Sequence, residues 1–313
     1  MKSLQSDIQQ IILPELEEKK VELFIKREDL LHPVISGNKY RKLFYNIQFA
    51  KEKNFKQLLT FGGAYSNHIL ATAGAGYEFG FKTVGVIRGD ELGHDLEKTL
   101  EENPTLRAAY DFGMEFHFIS RSDYRLKDKP LFLEVISKLF PSSYILPEGG
   151  TNDLAIKGCE AILDKDTEKF DFICLAVGTG GTISGVINAT HFNQKVLGFP
   201  ALKGDFLKSE IEKFVGSKDN WELVLDYHFG GYAKINKELI TFINRFTKNT
   251  SILLDPVYTG KMIYGVLDKI KNNYFPENSK VLVIHTGGLQ GVKGMNTLLV
   301  KKGLPTLIET IDE

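Results

Sequence analysis

Lys39 stands in the run Ser36-Gly37-Asn38-Lys39-Tyr40-Arg41-Lys42, between a small-residue turn and two further cations. Neighbouring cations disfavour an ammonium ion and leave more of the free amine that attacks carbonyl carbon. A second cation close by also suits a phosphate dianion. These residue types point to a lysine that forms a Schiff base with a phosphorylated aldehyde. They also fit a solvated basic turn ahead of a helix, so the rest of the chain has to separate the two.

Three apolar runs end in glycine-rich turns. In Thr60-Phe61-Gly62-Gly63-Ala64-Tyr65-Ser66-Asn67-His68, a hydroxyl, an amide and an imidazole follow a strand. Such groups at a strand's carboxyl end lie where open α/β sheets bind ligands; Ser66 and Asn67 are also ordinary helix caps. In Ala176-Val177-Gly178-Thr179-Gly180-Gly181-Thr182, successive backbone N–H groups free of Cβ obstruction can converge on one anion at a helix N-terminus. The Gly-Lys-Ser/Thr ending of a P-loop is missing, and the glycine spacing is not that of a dinucleotide fingerprint, so a single phosphate is the natural ligand. The third turn is His285-Thr286-Gly287-Gly288. Leu254-Asp255-Pro256-Val257-Tyr258-Thr259-Gly260-Lys261 and His228-Phe229-Gly230-Gly231-Tyr232 each put a tyrosine in a turn. A tyrosine there more often simply packs and satisfies its hydroxyl.

The elements that would position these groups alternate. Gln57–Phe61, Thr83–Arg88, Glu115–Ile119, Ser143–Leu146, Phe172–Val177, Lys195–Gly198 and Lys280–His285 read as strands, rich in Val, Ile, Leu and Phe with little alternation. That is the pattern of strands covered on both faces. Stretches of helical periodicity, such as Tyr40–Asn54 and Asp153–Leu163, lie between them. The rhythm predicts an α/β fold with mostly parallel sheets. The turn Leu146-Pro147-Glu148-Gly149-Gly150 is the best candidate for a boundary. At 313 residues the chain suffices for two modest domains or one large one.

A net charge of −1 supplies no field for nucleic acid or an anionic membrane. No apolar run approaches the ~20 residues of a membrane span, and Met1–Leu13 lacks the pattern of a signal peptide. Cys159 and Cys174 form neither a disulfide framework nor a ligand-like spacing, and no metal site is expected. A reducing cytoplasm fits best.

Together, and in this order along most of the chain, these segments resemble the pyridoxal-phosphate enzymes that include D-cysteine desulfhydrases and 1-aminocyclopropane-1-carboxylate deaminases. Gly37-Asn38-Lys39-x-Arg41-Lys42 is similar to the cofactor-lysine segment and Gly62-Gly63-x-x-Ser66-Asn67 to the loop facing cofactor and substrate. Gly178–Thr182 is similar to the phosphate cup; Asp255-Pro-Val-Tyr258 and His285-x-Gly287-Gly288 complete the set. The resemblance implies the tryptophan synthase β-like fold: two three-layer α/β domains with pyridoxal 5'-phosphate in the cleft between them, usually in a homodimer. The expected division is 1–45 plus 149–313 for the larger, cofactor-binding domain and 46–148 for the smaller one.

The resemblance also assigns roles. Lys39 carries the cofactor and, once freed, moves the Cα proton. Lys42, Asn67, Val177, Gly178, Thr179, Gly180, Gly181 and Thr182 bind cofactor, and Thr286 bonds its pyridine nitrogen. Ser66, Asn67 and His68 hold the substrate carboxylate, with Ser66 a candidate proton shuttle. Tyr232, Tyr258 and Thr259 line the substrate side, with Tyr258 a candidate acid or base. Deaminases have Glu after the tyrosine, Leu before the last Gly-Gly and Gln after the Ser-Asn pair. Here the residues are Thr259, Thr286 and His68, the desulfhydrase pattern. Leu70 and Phe44 replace an arginine and an acid common in the family, which bears on the substrate. The implied reaction is α,β-elimination from D-cysteine or a related β-substituted small amino acid to pyruvate, ammonia and sulfide. The alternative within the family is deamination of 1-aminocyclopropane-1-carboxylate to 2-oxobutyrate. The alternative outside it is a cofactor-free phosphate- or nucleotide-binding α/β protein, which leaves Lys39 unexplained.

Overall fold

The computed structural model describes residues 1, 4–204 and 206–311. Among them run ten strands: β1 (Ile8–Ile11), β2 (Glu22–Lys26), β3 (Gln57–Gly62), β4 (Lys82–Arg88), β5 (Met114–Ile119), β6 (Ser143–Leu146), β7 (Phe172–Val177), β8 (Lys195–Pro200), β9 (Trp221–Leu223) and β10 (Lys280–Ile284). They form a six-stranded sheet ordered β1-β2-β10-β7-β8-β9 and a four-stranded sheet ordered β5-β4-β3-β6. Only β1 and β2 pair antiparallel; every other pairing is parallel.

Alternate residues of the central strands face opposite layers, as the two-residue strand period requires. Cys174, Val281 and Val283 pack with Phe246, Met262 and Val266 of the helices Lys237–Thr250 and Thr259–Lys271. Ile173, Leu175, Leu282 and Ile284 face the other way, onto Ile183, Ile187, Leu207 and Ile211. The smaller sheet repeats the scheme, with Leu58 in one cluster and Leu59, Phe61, Val84 and Val86 in another. Both sheets are therefore covered on two faces, which is why their parallel strands read as unbroken apolar runs.

The helix Asn38–Glu52 ties the two halves together. Tyr40, Leu43, Ile47 and Ala50 join the cluster containing Leu58 and Leu146 of the smaller sheet. Its other side meets the helix Asp153–Glu160 so closely that a Cβ on Gly158 would lie 2.0 Å from the Arg41 carbonyl oxygen. The expected boundary at residue 45 falls inside this helix. Three strands lay outside the sequence reading: β1, β2 and the three-residue β9. Among the described residues, no helix is long and apolar enough to cross a membrane.

Candidate active site

The carboxyl ends of β3 and β4 face those of β7 and β10 across a cavity of about 500 Å³. Its wall includes Lys39, Lys42, Ser66, Asn67, His68, Val177, Gly178, Thr179, Gly180, Thr182, Tyr232, Tyr258 and Thr286. The loop before Lys39 is pressed onto the turn after β10. Gly37 has φ +61, and a Cβ there would lie 2.0 Å from the Thr286 carbonyl oxygen, so only glycine allows the approach.

The Lys39 amine donates to Asn38 Oδ1 at 2.9 Å. Its pKa is lowered to about 7, first by burial and then by the Lys42 charge. Burial, and not the neighbouring cations expected from the sequence, is the larger cause. Of the two cations expected to act, Arg41 does not. Its guanidinium pairs with Glu28 through Nε to Oε2 and Nη2 to Oε1, each at 2.8 Å, inside the protein. Lys42 is buried too, which lowers its pKa to about 8. Its ammonium donates to the Gly149 carbonyl at 2.7 Å and to Thr151 Oγ1 at 3.2 Å.

The glycine turn after β7 closes the same end of the cavity. Gly180 has φ +86 and caps the helix Gly181–Ala189. Within the protein, among the described residues, the backbone N–H groups of Gly178, Thr179, Gly180 and Gly181 have no backbone acceptor outside that helix. Their donors and Lys42 form a cradle for one anion. Thr179 Oγ1 lies 2.6 Å from Thr151 Oγ1, and Thr182 Oγ1 accepts from Asn38 Nδ2 at 2.7 Å. Gly181 is not on the cavity wall; it opens the helix behind it, against Thr151 and Lys42.

Ser66 caps the helix Asn67–Phe79, accepting from the N–H groups of His68 and Ile69 at 3.3 and 3.4 Å. Cap and cavity residue are thus the same serine, and its hydroxyl proton is not used by the cap. His68 is 1% exposed, and neither ring nitrogen has a partner within the protein. Burial, then Lys39 and Lys42, hold its pKa well below the ordinary imidazole value, so the ring is neutral. Two unpaired buried nitrogens cost on the order of 1–3 kcal/mol each unless a ligand supplies partners.

Tyr258 packs edge-on against Tyr232, ring centroids 6.2 Å apart at 67°. Burial, then the Tyr232 hydroxyl, push its pKa well above the ordinary phenol value. It is therefore a phenol that can donate a proton and not a standing base. Thr259 corrects the sequence expectation: it is fully buried, absent from the cavity wall, and bonds Asp255 Oδ1 through its hydroxyl at 2.8 Å. Thr286, by contrast, is on the wall, and among the described residues its hydroxyl makes no hydrogen bond within the protein. Leu70 and Phe44 pack in apolar clusters away from the cavity, so neither substitution touches it directly.

The chain matches, over residues 9–287, the family described as pyridoxal-phosphate dependent enzyme. The chain belongs to that family. It is 30% identical to the bifunctional D-cysteine desulfhydrase/1-aminocyclopropane-1-carboxylate deaminase, mitochondrial, of Arabidopsis thaliana, over 87% of this chain and 73% of that one. To the 1-aminocyclopropane-1-carboxylate deaminase of Bradyrhizobium sp. it is 27% identical, over 88% of each. A crystal structure of a deaminase homologue superposes with a TM-score of 0.78 at 29% identity, covering 95% of this chain and 94% of that one. Serine racemase from Dictyostelium discoideum shares the fold at a TM-score of 0.66 and 18% identity.

The residues present fit pyridoxal phosphate. The N–H cradle with Lys42 suits a phosphate, Lys39 is a lysine with a lowered pKa, and the His68 nitrogens and the Thr286 hydroxyl await partners. Among the described residues, no group of three or more His, Cys, Asp or Glu could hold a metal ion.

Four more residues of this enzyme were quoted in its motifs, or passed over, without a role. Asn38 bridges the Lys39 amine and Thr182. Asp255 lines the cavity, yet its carboxylate is spent on four donors: the N–H groups of Val257, Tyr258 and Thr259 and the Thr259 hydroxyl. Lys261 is 2% exposed and donates to the carbonyls of His228 and Gly231, both at 2.8 Å. It thereby pins the loop that carries Tyr232. Arg88 ends β4 on the cavity wall. An acid six residues before a lysine was the only available signal for the Asp255–Lys261 turn, and Arg88 had none.

Proposed function

We propose that this pyridoxal-phosphate enzyme is a lyase that removes a β-substituent from a small amino acid, D-cysteine or a close relative, releasing pyruvate, ammonia and, from cysteine, sulfide. The observation that carries the reading is the polar make-up of the cavity. Its free groups are the Ser66 and Thr286 hydroxyls and the His68 imidazole, and Tyr258 shares its hydroxyl with Tyr232, whereas both carboxylates on the wall are committed. Asp255 holds its four donors, and Glu148 accepts from the Tyr124 hydroxyl at 2.7 Å and pairs with Lys127 at 3.2 Å. A free carboxylate beside the pyridine nitrogen would favour the stronger electron sink that ring opening demands; a hydroxyl does not.

When bound, the cofactor supplies a ring that takes up negative charge developing at Cα. The chain's own residues do the rest. Lys39, with a pKa of about 7, is partly neutral at neutral pH and can accept the Cα proton. Ser66, Asn67 and the neutral His68 offer donors to the α-carboxylate. Tyr258 stays protonated and can give its proton to the departing group. Lys42 and the 178–182 turn anchor the phosphate.

The second reading, deamination of 1-aminocyclopropane-1-carboxylate, is supported by the names of the relatives. Purified enzyme offered both substrates separates the two. Pyruvate and sulfide from D-cysteine, with 2-oxobutyrate slower by at least tenfold, support the elimination; the reverse order overturns it. We also infer two units, 1–45 with 149–313 and 46–148, supported by the two sheets. A homodimer is inferred from the resemblance. A reducing cytoplasm is inferred from two cysteines that stay free and buried.

A further inference from the structure

Once phosphate and α-carboxylate have their partners, one cation of the cavity is left over. Arg88 is the last residue of β4, and its Nη2 lies 3.5 Å from the point where a Cβ on Gly63 would stand, beside the Ser66-Asn67 loop. Its guanidinium rests over the Tyr124 ring, 5.8 Å from the centroid. Among the described residues it has no carboxylate partner. The acids around it are committed elsewhere: Glu148 to Tyr124 and Lys127, Glu91 to Arg121, Asp128 to Lys127. An arginine is always charged and presents a planar fork matched to carboxylate. Left unpaired on a concave wall, with Lys127 offsetting the nearest acid, it raises the local concentration of anions.

We propose that Arg88 is a subsite for a second carboxylate, carried by the substrate on its β-substituent and distinct from the α-carboxylate. The assignment rests on the cavity being the amino-acid site. The departing group would then be a thiolate or similar anion that bears a carboxylate of its own.

The test compares two ligands of the same shape, S-carboxymethyl-D-cysteine and its amide S-carbamoylmethyl-D-cysteine. Each is titrated into holoenzyme, with affinity read from the change in cofactor absorbance, so that no turnover is needed. The carboxylate is expected to bind about fivefold more tightly than the amide, the scale of a partly solvated ion pair. Arg88→Met should bring the ratio to about one, and Arg88→Lys should keep part of it. Equal affinities in the unaltered enzyme, a preference that survives Arg88→Met, or no binding of either ligand overturns the subsite. Pyruvate release from D-cysteine is followed alongside. If it fails while the discrimination holds, the lyase reading falls and the subsite stands. If it succeeds with equal affinities, only the subsite falls.

Discussion

Burial does to Lys39 what its neighbours in sequence were expected to do. The reason lies in helix geometry. Residues three apart share a face of a helix, and residues two apart do not. Lys39 and Lys42 therefore look into the same cavity, while Arg41 turns away to Glu28. A local run of cations was legible; which of them act together was not. The lowered pKa makes a prediction with a definite sign. Below about pH 7 the amine is mostly protonated, so the rate at which apoprotein captures pyridoxal phosphate should rise about tenfold per pH unit and level off above pH 7. Stopped-flow absorbance measures it, and a rate still climbing toward pH 10 would mark an ordinary lysine. Tyr258→Phe should keep the cofactor spectrum and lower kcat by about a hundredfold, the scale of one lost proton donor. An unchanged kcat would remove the phenol from the chemistry.

At the scale of elements, the glycine turns were the legible part. Two of these turns open helices, with Ser66 and Gly180 as the caps. The turn 255–261 was only half legible. Its hydroxyl, Thr259, looked like a substrate group. A carboxylate four residues earlier captures it together with three backbone N–H groups, and such capture depends on the fold of the turn. Strands β1 and β2 escaped because their polar residues break the apolar pattern. One of these, Lys26, is 1% exposed and paired with Asp164, so a residue typical of surfaces lies inside. The 228–233 loop depends on Lys261 in the same way. Phe229, Gly230, Gly231 and Ala233 all have positive φ, a conformation that needs outside support. Lys261→Met strands two carbonyls and should cost about 1–3 kcal/mol by chemical denaturation. It should also raise KM with little change in the cofactor spectrum. If the effect passes through Tyr232, combining it with Tyr232→Phe should cost less in kcat/KM than the sum of the two singly. Full additivity would make Lys261 a stabilising residue only.

At the scale of the molecule, the α/β class and the parallel sheets followed from apolar runs that alternate with helices. The cavity did not, because it is made by the ends of strands far apart in sequence. Lys39, Ser66, Gly178, Tyr258 and Thr286 meet only when both sheets are in place. A ligand that bridges them should therefore stabilise the fold as a whole. Pyridoxal phosphate at a hundred times its dissociation constant should add about 2.7 kcal/mol, seen as a higher Tm, and Lys39→Ala should lose most of that gain. The central claim is that Lys39 carries the cofactor, and borohydride reduction of the holoenzyme followed by peptide mass mapping tests it most directly. A single pyridoxyl-phosphate adduct is expected on the peptide containing Lys39, absent in Lys39→Ala. An adduct on another lysine, or none, would contradict it.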